Sequence, residues 1–280
     1  MGKKRLLPAI SKTKGMGPFV SAIRAVIFDM DGTLYDQRKL RRKISWEMLK
    51  FLLANPTGLI ALKILRDFRK AREKNASLID GNIEERQFEW GARASKVSVE
   101  KVRKVVQNWM FTRPLCHLDA YCYPGVRELF SYLKEKSIPV GIFSDYPAQD
   151  KLQALNLEVN VMVSATDVEV DRLKPDPKGL FVAASKLNTP VKECLFIGDR
   201  DDKDGECARR AGMPYLILNR KRRNWSPNSF KTFTPLESSA IYAGDKINMK
   251  PQFLIEGGVK APFFLTGFTE IIEWFEKSRK

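Results

Sequence analysis

Apolar and polar positions along the chain follow two rhythms. The run Ala25-Val26-Ile27-Phe28 is apolar throughout, as a strand buried on both faces is. From residue 44 the spacing widens. Ile44, Met48, Leu52, Leu59, Leu62, Leu65 and Phe68 recur at helical steps among lysines and arginines. Asn55-Pro56-Thr57-Gly58 divides this stretch into two helices. Residues 83–95 and 98–111 predict two more, the second with Val99, Val102, Val106 and Met110 on one face. Residues 36–115 therefore read as an all-helical insertion.

From Tyr123-Pro124-Gly125 onward the rhythm alternates. Helical patterns at 126–136, 148–155, 178–187 and 205–212 are each followed by a short apolar strand, at 138–145, 160–165, 193–199 and 215–219. This order predicts an α/β fold built on a doubly wound parallel sheet covered on both faces. Residues 220–262 hold no sustained period, and T-G-F-T-E-I-I-E-W-F-E-K then predicts one more helix, with Thr269 as its N-cap.

A 280-residue chain that is 44% hydrophobic has material for a large core. No apolar run approaches the roughly 18–20 residues a membrane span needs. Four cysteines without C-x-x-C spacing argue against a zinc site and read as a reduced, cytoplasmic setting. The N-terminal stretch lacks the apolar core of a secretion signal, and Leu6 spoils a myristoylation pattern. The net charge of +16 is uneven: +6 over residues 1–24, +10 over 36–114 and +5 over 220–262, with the remainder mildly acidic. Basic segments of this kind are either solvated faces or a means of attracting anionic ligands.

The polar residues that interrupt this pattern stand at strand ends: Asp29 and Asp31 after the first strand, Ser144 after the second, Asp199 after a later one. Ligands of parallel sheets bind beyond those ends. Two acids one residue apart repel each other unless something positive joins them. The full elements are D-M-D-G-T (29–33), F-S-D (143–145), L-K-P-D-P (173–177) and G-D-R-D-D-K-D (198–204). In this order they resemble the four motifs of the haloacid dehalogenase-like superfamily, and the likeness spans about residues 24–219.

The resemblance implies that Asp29 attacks phosphorus and that Asp31 protonates the leaving oxygen and then activates water. It also implies Mg²⁺, held by Asp29, the backbone carbonyl of Asp31, and Asp199. Asp204 aligns best with the second acid of the last motif, with Asp202 a nearby alternative; direct and water-mediated roles stay open. Ser144 would donate to the phosphoryl group and Lys174 would pair with Asp29 and the phosphate. Gly32 frees the turn after the strand, and backbone N–H groups there, with Thr33, would hold phosphoryl oxygens. Asp145 stands where members often carry Asn or another small polar residue; it either points inward, adding negative charge beside the phosphate site, or caps the following helix, the preferred reading.

Dehalogenating members lack the acid at the position of Asp31, because a halide leaves without a proton. The insertion after the first motif occupies the place of a helical cap in the cap-bearing phosphatase branch. The expected division is thus a basic arm (1–23), a core (24–35 and 116–280, with an irregular basic insertion at 220–262) and a cap (36–115). Arg38, Arg41, Arg42 and Lys43 read as a solvated helix face. His117, the only histidine, excludes a His-based triad, and Trp46, Trp90 and Trp109 read as core. The expected activity is Mg²⁺-dependent hydrolysis of a small phosphorylated metabolite. A sugar-phosphate mutase of the same family, or a protein binding nucleic acid or an acidic surface through its basic segments, are the alternatives.

Overall fold

A computed structural model describes residues 23–55, 58–77, 81–218, 232–233 and 268–278. Apart from Ile23, the basic arm lies outside the described residues, as does the 220–262 stretch except for 232–233. The central sheet has six strands in the order β3-β2-β1-β4-β5-β6. They are β1 (Ala25–Phe28), β2 (Val140–Ser144), β3 (Val161–Ser164), β4 (Cys194–Gly198), β5 (Tyr215–Ile217) and β6 (Thr232–Phe233). The first five run parallel and β6 joins antiparallel to β5.

Strand period explains the two cores. Val26 and Phe28 of β1, with Leu195 and Ile197 of β4, face one apolar cluster. Ala25 and Ile27, with Cys194 and Phe196, face the other. Apolar side chains on both faces exclude water from the sheet, and helices cover each side.

Between β1 and β2 the chain forms α1 (Gln37–Ala54), α2 (Leu59–Lys74), α3 (Ile83–Ser95), α4 (Val99–Val106) and α5 (Leu115–Tyr121), then α6 (Val126–Glu135). A π-helical turn, Gln107–Thr112, continues α4. Asp36 starts α1 by accepting the Lys39 N–H at 3.0 Å, and Ser98 caps α4 through Lys101. The excursion is closed by antiparallel pairing of Tyr35 with Cys122, where the Asp36 N–H donates to the Tyr121 carbonyl at 2.9 Å. A separate apolar cluster, including Ile64, Phe68, Phe88, Val102 and Trp109, holds these helices together. Trp90 and Trp109 are buried as expected, but Trp46 is 65% exposed. It lies on the α1 face with Leu49 and Leu53, which are also exposed.

The remaining helices are α7 (Gln149–Leu155), α8 (Lys178–Lys186), α9 (Glu206–Ala211) and α10 (Phe268–Ser278). Thr269 falls inside α10 and is exposed, so it does not cap that helix as its sequence predicts. The α10 side chains Phe268, Ile271 and Phe275 complete the first core against α6. Among the described residues no helix is long and apolar enough to cross a membrane.

On the opposite face α8 approaches β2 so closely that a Cβ at Gly179 would overlap the Phe143 ring. Phe143 is fully buried and has nowhere to move. Gly179→Ala is expected to destabilise the fold by about 1–3 kcal/mol, read as a lower urea midpoint. An unchanged midpoint would mean that α8 can part from β2.

Candidate active site

The parallel register brings the ends of β1, β2 and β4 together, with β1 in the middle. Beyond β1 the chain must leave the sheet within a few residues. Gly32 makes this possible at φ +102°, a backbone conformation that side chains disfavour. A Cβ there would come within 2.5 Å of an Asp199 carboxylate oxygen. The bare glycine is what lets Asp199 close on the turn.

Asp29 is buried, and its two oxygens have separate partners. Oδ1 accepts from Lys174 Nζ at 2.7 Å and Oδ2 accepts from Thr33 Oγ1 at 3.0 Å. Lys174 is 1% exposed and also donates to Asp204 Oδ1 at 2.8 Å. Its ammonium lies over the rings of Phe143 and Phe196, 4.8 and 5.1 Å from their centroids. Asp204 is fixed from behind by the backbone N–H groups of Asp199 and Arg200, at 3.2 and 3.0 Å. Burial pushes the Asp29 carboxyl well above its usual range; Lys174 opposes this, and Asp204 and Asp199 reinforce it. Burial also opposes the charge on Lys174, but Asp204 and Asp29 outweigh it and raise that ammonium well above its usual value.

Asp31 faces different surroundings. Both its oxygens meet Lys151 Nζ, at 2.6 and 2.7 Å, and the Tyr35 hydroxyl donates to it as well. Burial would raise this carboxyl, but Lys151 and Tyr35 prevail and hold it below the usual carboxylate range. Two acids one residue apart thus point into two environments, because the chain has already left the strand.

Ser144 is buried at the end of β2, its hydroxyl oxygen accepting the Tyr146 N–H at 3.2 Å. Of the two acids left open in the last motif, Asp204 joins the cluster. Asp202 is exposed and bonded to Arg200 at 2.6 Å. Carboxylate oxygens of Asp29, Asp199 and Asp204 all lie within 4.8 Å of one another, an acidic cluster able to hold a cation. The Asp31 carboxylate stays outside this trio.

Asp145 overturns its expected role. The residue before α7 is Ala148, with no side-chain cap. Asp145 instead accepts the backbone N–H of Lys174 at 3.1 Å and so anchors the segment that presents the lysine. Arg41 is exposed, as a solvated face predicts, yet it also lines the cavity beside Asp31. His117 is structural, bonded to Glu47 at 2.6 Å. Lys151 and Tyr35 carry no motif that singles them out; a lysine within D-K-L-Q looks like any helix surface residue.

The chain belongs to the haloacid dehalogenase-like hydrolase family, whose model matches residues 23–212. It is 27% identical over 207 residues to the phosphoglycolate phosphatase of Yersinia pestis, covering 70% of this chain and 81% of that one. It is 26% identical over 205 residues to the glyceraldehyde 3-phosphate phosphatase of Methanopyrus kandleri, covering 71% and 84%. A third relative, the N-acetylmuramic acid 6-phosphate phosphatase of Pseudomonas aeruginosa, is 27% identical over 238 residues, covering 84% and 94%. The 2-haloacid dehalogenase structure from Pseudomonas syringae superposes with a TM-score of 0.52 at 18% identity, over 73% of this chain and 90% of that chain. That likeness is one of fold.

Burial and the neighbouring acids Asp204 and Asp199 work against an ionised Asp29, and Lys174 offsets them only in part. In metal-free buffer, Asp29→Asn is expected to raise the thermal stability by on the order of 1 kcal/mol, as relief of a functional-site strain does. Asp202→Asn at the surface should change it by less than about 0.5 kcal/mol. A lower melting temperature for the Asp29 variant would mean that its bond to Lys174 outweighs burial and the neighbouring acids.

Proposed function

We propose that the chain is a Mg²⁺-dependent phosphomonoesterase of a small phosphorylated metabolite, with Asp29 as nucleophile, Asp31 as acid and base, and the helical segment 36–115 as a cap. What carries this reading is the divergence of the two acids. Asp29 meets Lys174 and the acidic cluster, whereas Asp31 lines the cavity beneath α1 and α2. A nucleophile and a proton donor must reach opposite sides of one phosphorus atom's bonds, and this separation provides that.

In the proposed reaction an Asp29 oxygen bonds to phosphorus as the bond to the leaving oxygen breaks. A proton from Asp31 neutralises that oxygen. Water then attacks the phosphoryl group, gives its proton to Asp31 and restores the Asp29 carboxylate as phosphate departs. Lys151 and Tyr35 hold Asp31 ionised in the free protein, the form the second step uses. A phosphoryl dianion beside it favours the protonated form that the first step uses. Thr33 and Lys174 fix the orientation of the Asp29 carboxylate, and Ser144 is available to donate to a phosphoryl oxygen.

The residues fit a hard divalent cation. The cluster is all oxygen, three carboxylates bring three negative charges, and Lys174 returns one. Asp29 and Asp199, with the Asp31 carbonyl, would hold Mg²⁺, and Asp204 would support it from beside Lys174. When bound, the ion supplies positive charge against the phosphoryl oxygens.

An acid at position 31 favours a leaving group that needs a proton, hence phosphoryl rather than halide chemistry. The phosphatase relatives support the same class. Their named substrates differ from one another, so they support no single one.

Hydrolysis of p-nitrophenyl phosphate with Mg²⁺ is expected, with loss on EDTA treatment and a fall of at least about a thousandfold in Asp29→Asn. Mg²⁺ at a hundredfold excess over its dissociation constant should also stabilise the wild type by about 2.7 kcal/mol. Turnover that survives Asp29→Asn, or none across a broad panel of phosphate esters, would contradict the reading.

A further inference from the structure

The cavity beside Asp31 has a volume of about 490 Å³. Asp31, Tyr35 and Lys151 are among its lining residues, while Asp29, Thr33, Ser144 and Lys174 are not. On the roles proposed for Asp29 and Asp31, this cavity is on the side from which a leaving group would depart. Its walls are mostly apolar, with Met48, Leu52, Leu65, Trp109, Phe111 and Leu118 among them. A two-carbon leaving group would fill little of that space and leave the leucines facing water.

Arg69, on α2, also lines this cavity. Among the described residues, its Nε is the one buried side-chain nitrogen or oxygen with no hydrogen-bond partner. The contrast with its neighbours on the helix is informative. Arg66 bonds to Asp67 at 3.0 Å. Arg72 bonds to Gln87 and to the Asp145 carbonyl, and stacks on Tyr146 at 4.1 Å. For Arg69 burial and the nearby Arg41 charge both disfavour its own charge. A buried guanidinium donor left without a partner is costly. The side chain that bears it lines the cavity, and its planar fork suits a carboxylate or phosphate there.

We propose that the substrate is an organic phosphomonoester whose leaving group has an apolar body, a ring or branched chain, and a second anionic group received by Arg69. This deepens the phosphatase reading and rests on it. The phosphoryl group would sit at Asp29, the apolar body along the leucine and tryptophan walls, and the far anion at Arg69 with Arg41 nearby. Hydrolysis would then release an amphipathic hydroxy acid or hydroxy phosphate and inorganic phosphate, one water being consumed.

Binding of non-hydrolysable probes to the full chain with Mg²⁺ tests this without relying on turnover. The probes are methylphosphonate, benzylphosphonate, 4-carboxybenzylphosphonate and p-xylylene bisphosphonate, measured by calorimetry. Benzylphosphonate is expected to bind about tenfold more tightly than methylphosphonate. One of the two probes with a second anionic group should gain about a further tenfold or more, the carboxylate and bisphosphonate arms telling which anion fits. In Arg69→Gln the affinity ratio between the probe with a second anionic group and benzylphosphonate should fall to about one, and Arg69→Lys should restore part of it. A merely structural role would weaken all probes alike and leave the ratio unchanged, which would overturn the proposal. So would the absence of any gain from ring or second anion in the wild type. Turnover of p-nitrophenyl phosphate without these preferences would refute the substrate inference alone; the preferences without turnover would refute the phosphatase reading alone.

Discussion

A single buried ammonium organises the carboxyl end of this sheet. Lys174 Nζ sits between Asp29 at 2.7 Å and Asp204 at 2.8 Å, roofed by the rings of Phe143 and Phe196. Removing such an ion from water costs several kcal/mol, regained only when its partners are close and fixed. The fold supplies that fixity. Phe143 lies on β2 and Phe196 on β4, the two neighbours of β1, so the parallel register alone delivers both rings and Asp29 to one place. Asp145 holds the lysine's backbone, and the N–H groups of Asp199 and Arg200 hold Asp204.

Around this anchor the first motif separates into two chemical environments. Asp29 is turned toward the cluster whose crowding of acids invites a cation, and Asp31 toward a cavity that Lys151 also lines. The Gly32 turn makes the separation possible, since it both redirects the chain and leaves room for Asp199. The helices beyond Tyr35 enclose the Asp31 side. The cavity walls draw on two apolar clusters, Leu118 from the first sheet core and Trp109 from the cluster that holds these helices together.

Much of this was legible from the chain alone. β1, β2 and β4 are short apolar runs ending in polar residues, and period-two burial on both faces makes such runs hard to mistake. The four motifs named Asp29, Asp31, Ser144, Lys174 and Asp199, and spacing favoured Asp204 over Asp202. What stayed hidden depends on long-range contact. Lys151 lies 120 residues from Asp31, and nothing in its helix marks it. Asp145 looked like a helix cap because Asp commonly is one, yet Lys174 offered a better donor. Trp46 has the composition of a core residue but faces outward. Arg66, Arg69 and Arg72 recur every third residue in one basic helix; Arg66 bonds to Asp67, Arg72 to a part-buried carbonyl, and the Arg69 Nε to no partner. No rule of sequence separates those three outcomes.

The central claim is that the Asp29 carboxylate, oriented by Lys174, takes the phosphoryl group from the substrate. It is tested most directly by mixing the full chain with Mg²⁺ and acetyl phosphate, quenching in acid during turnover and mapping the phosphoryl group by mass spectrometry. The account predicts the adduct on the peptide that carries Asp29. Steady turnover with no adduct, or with the phosphoryl group on another residue, would contradict it.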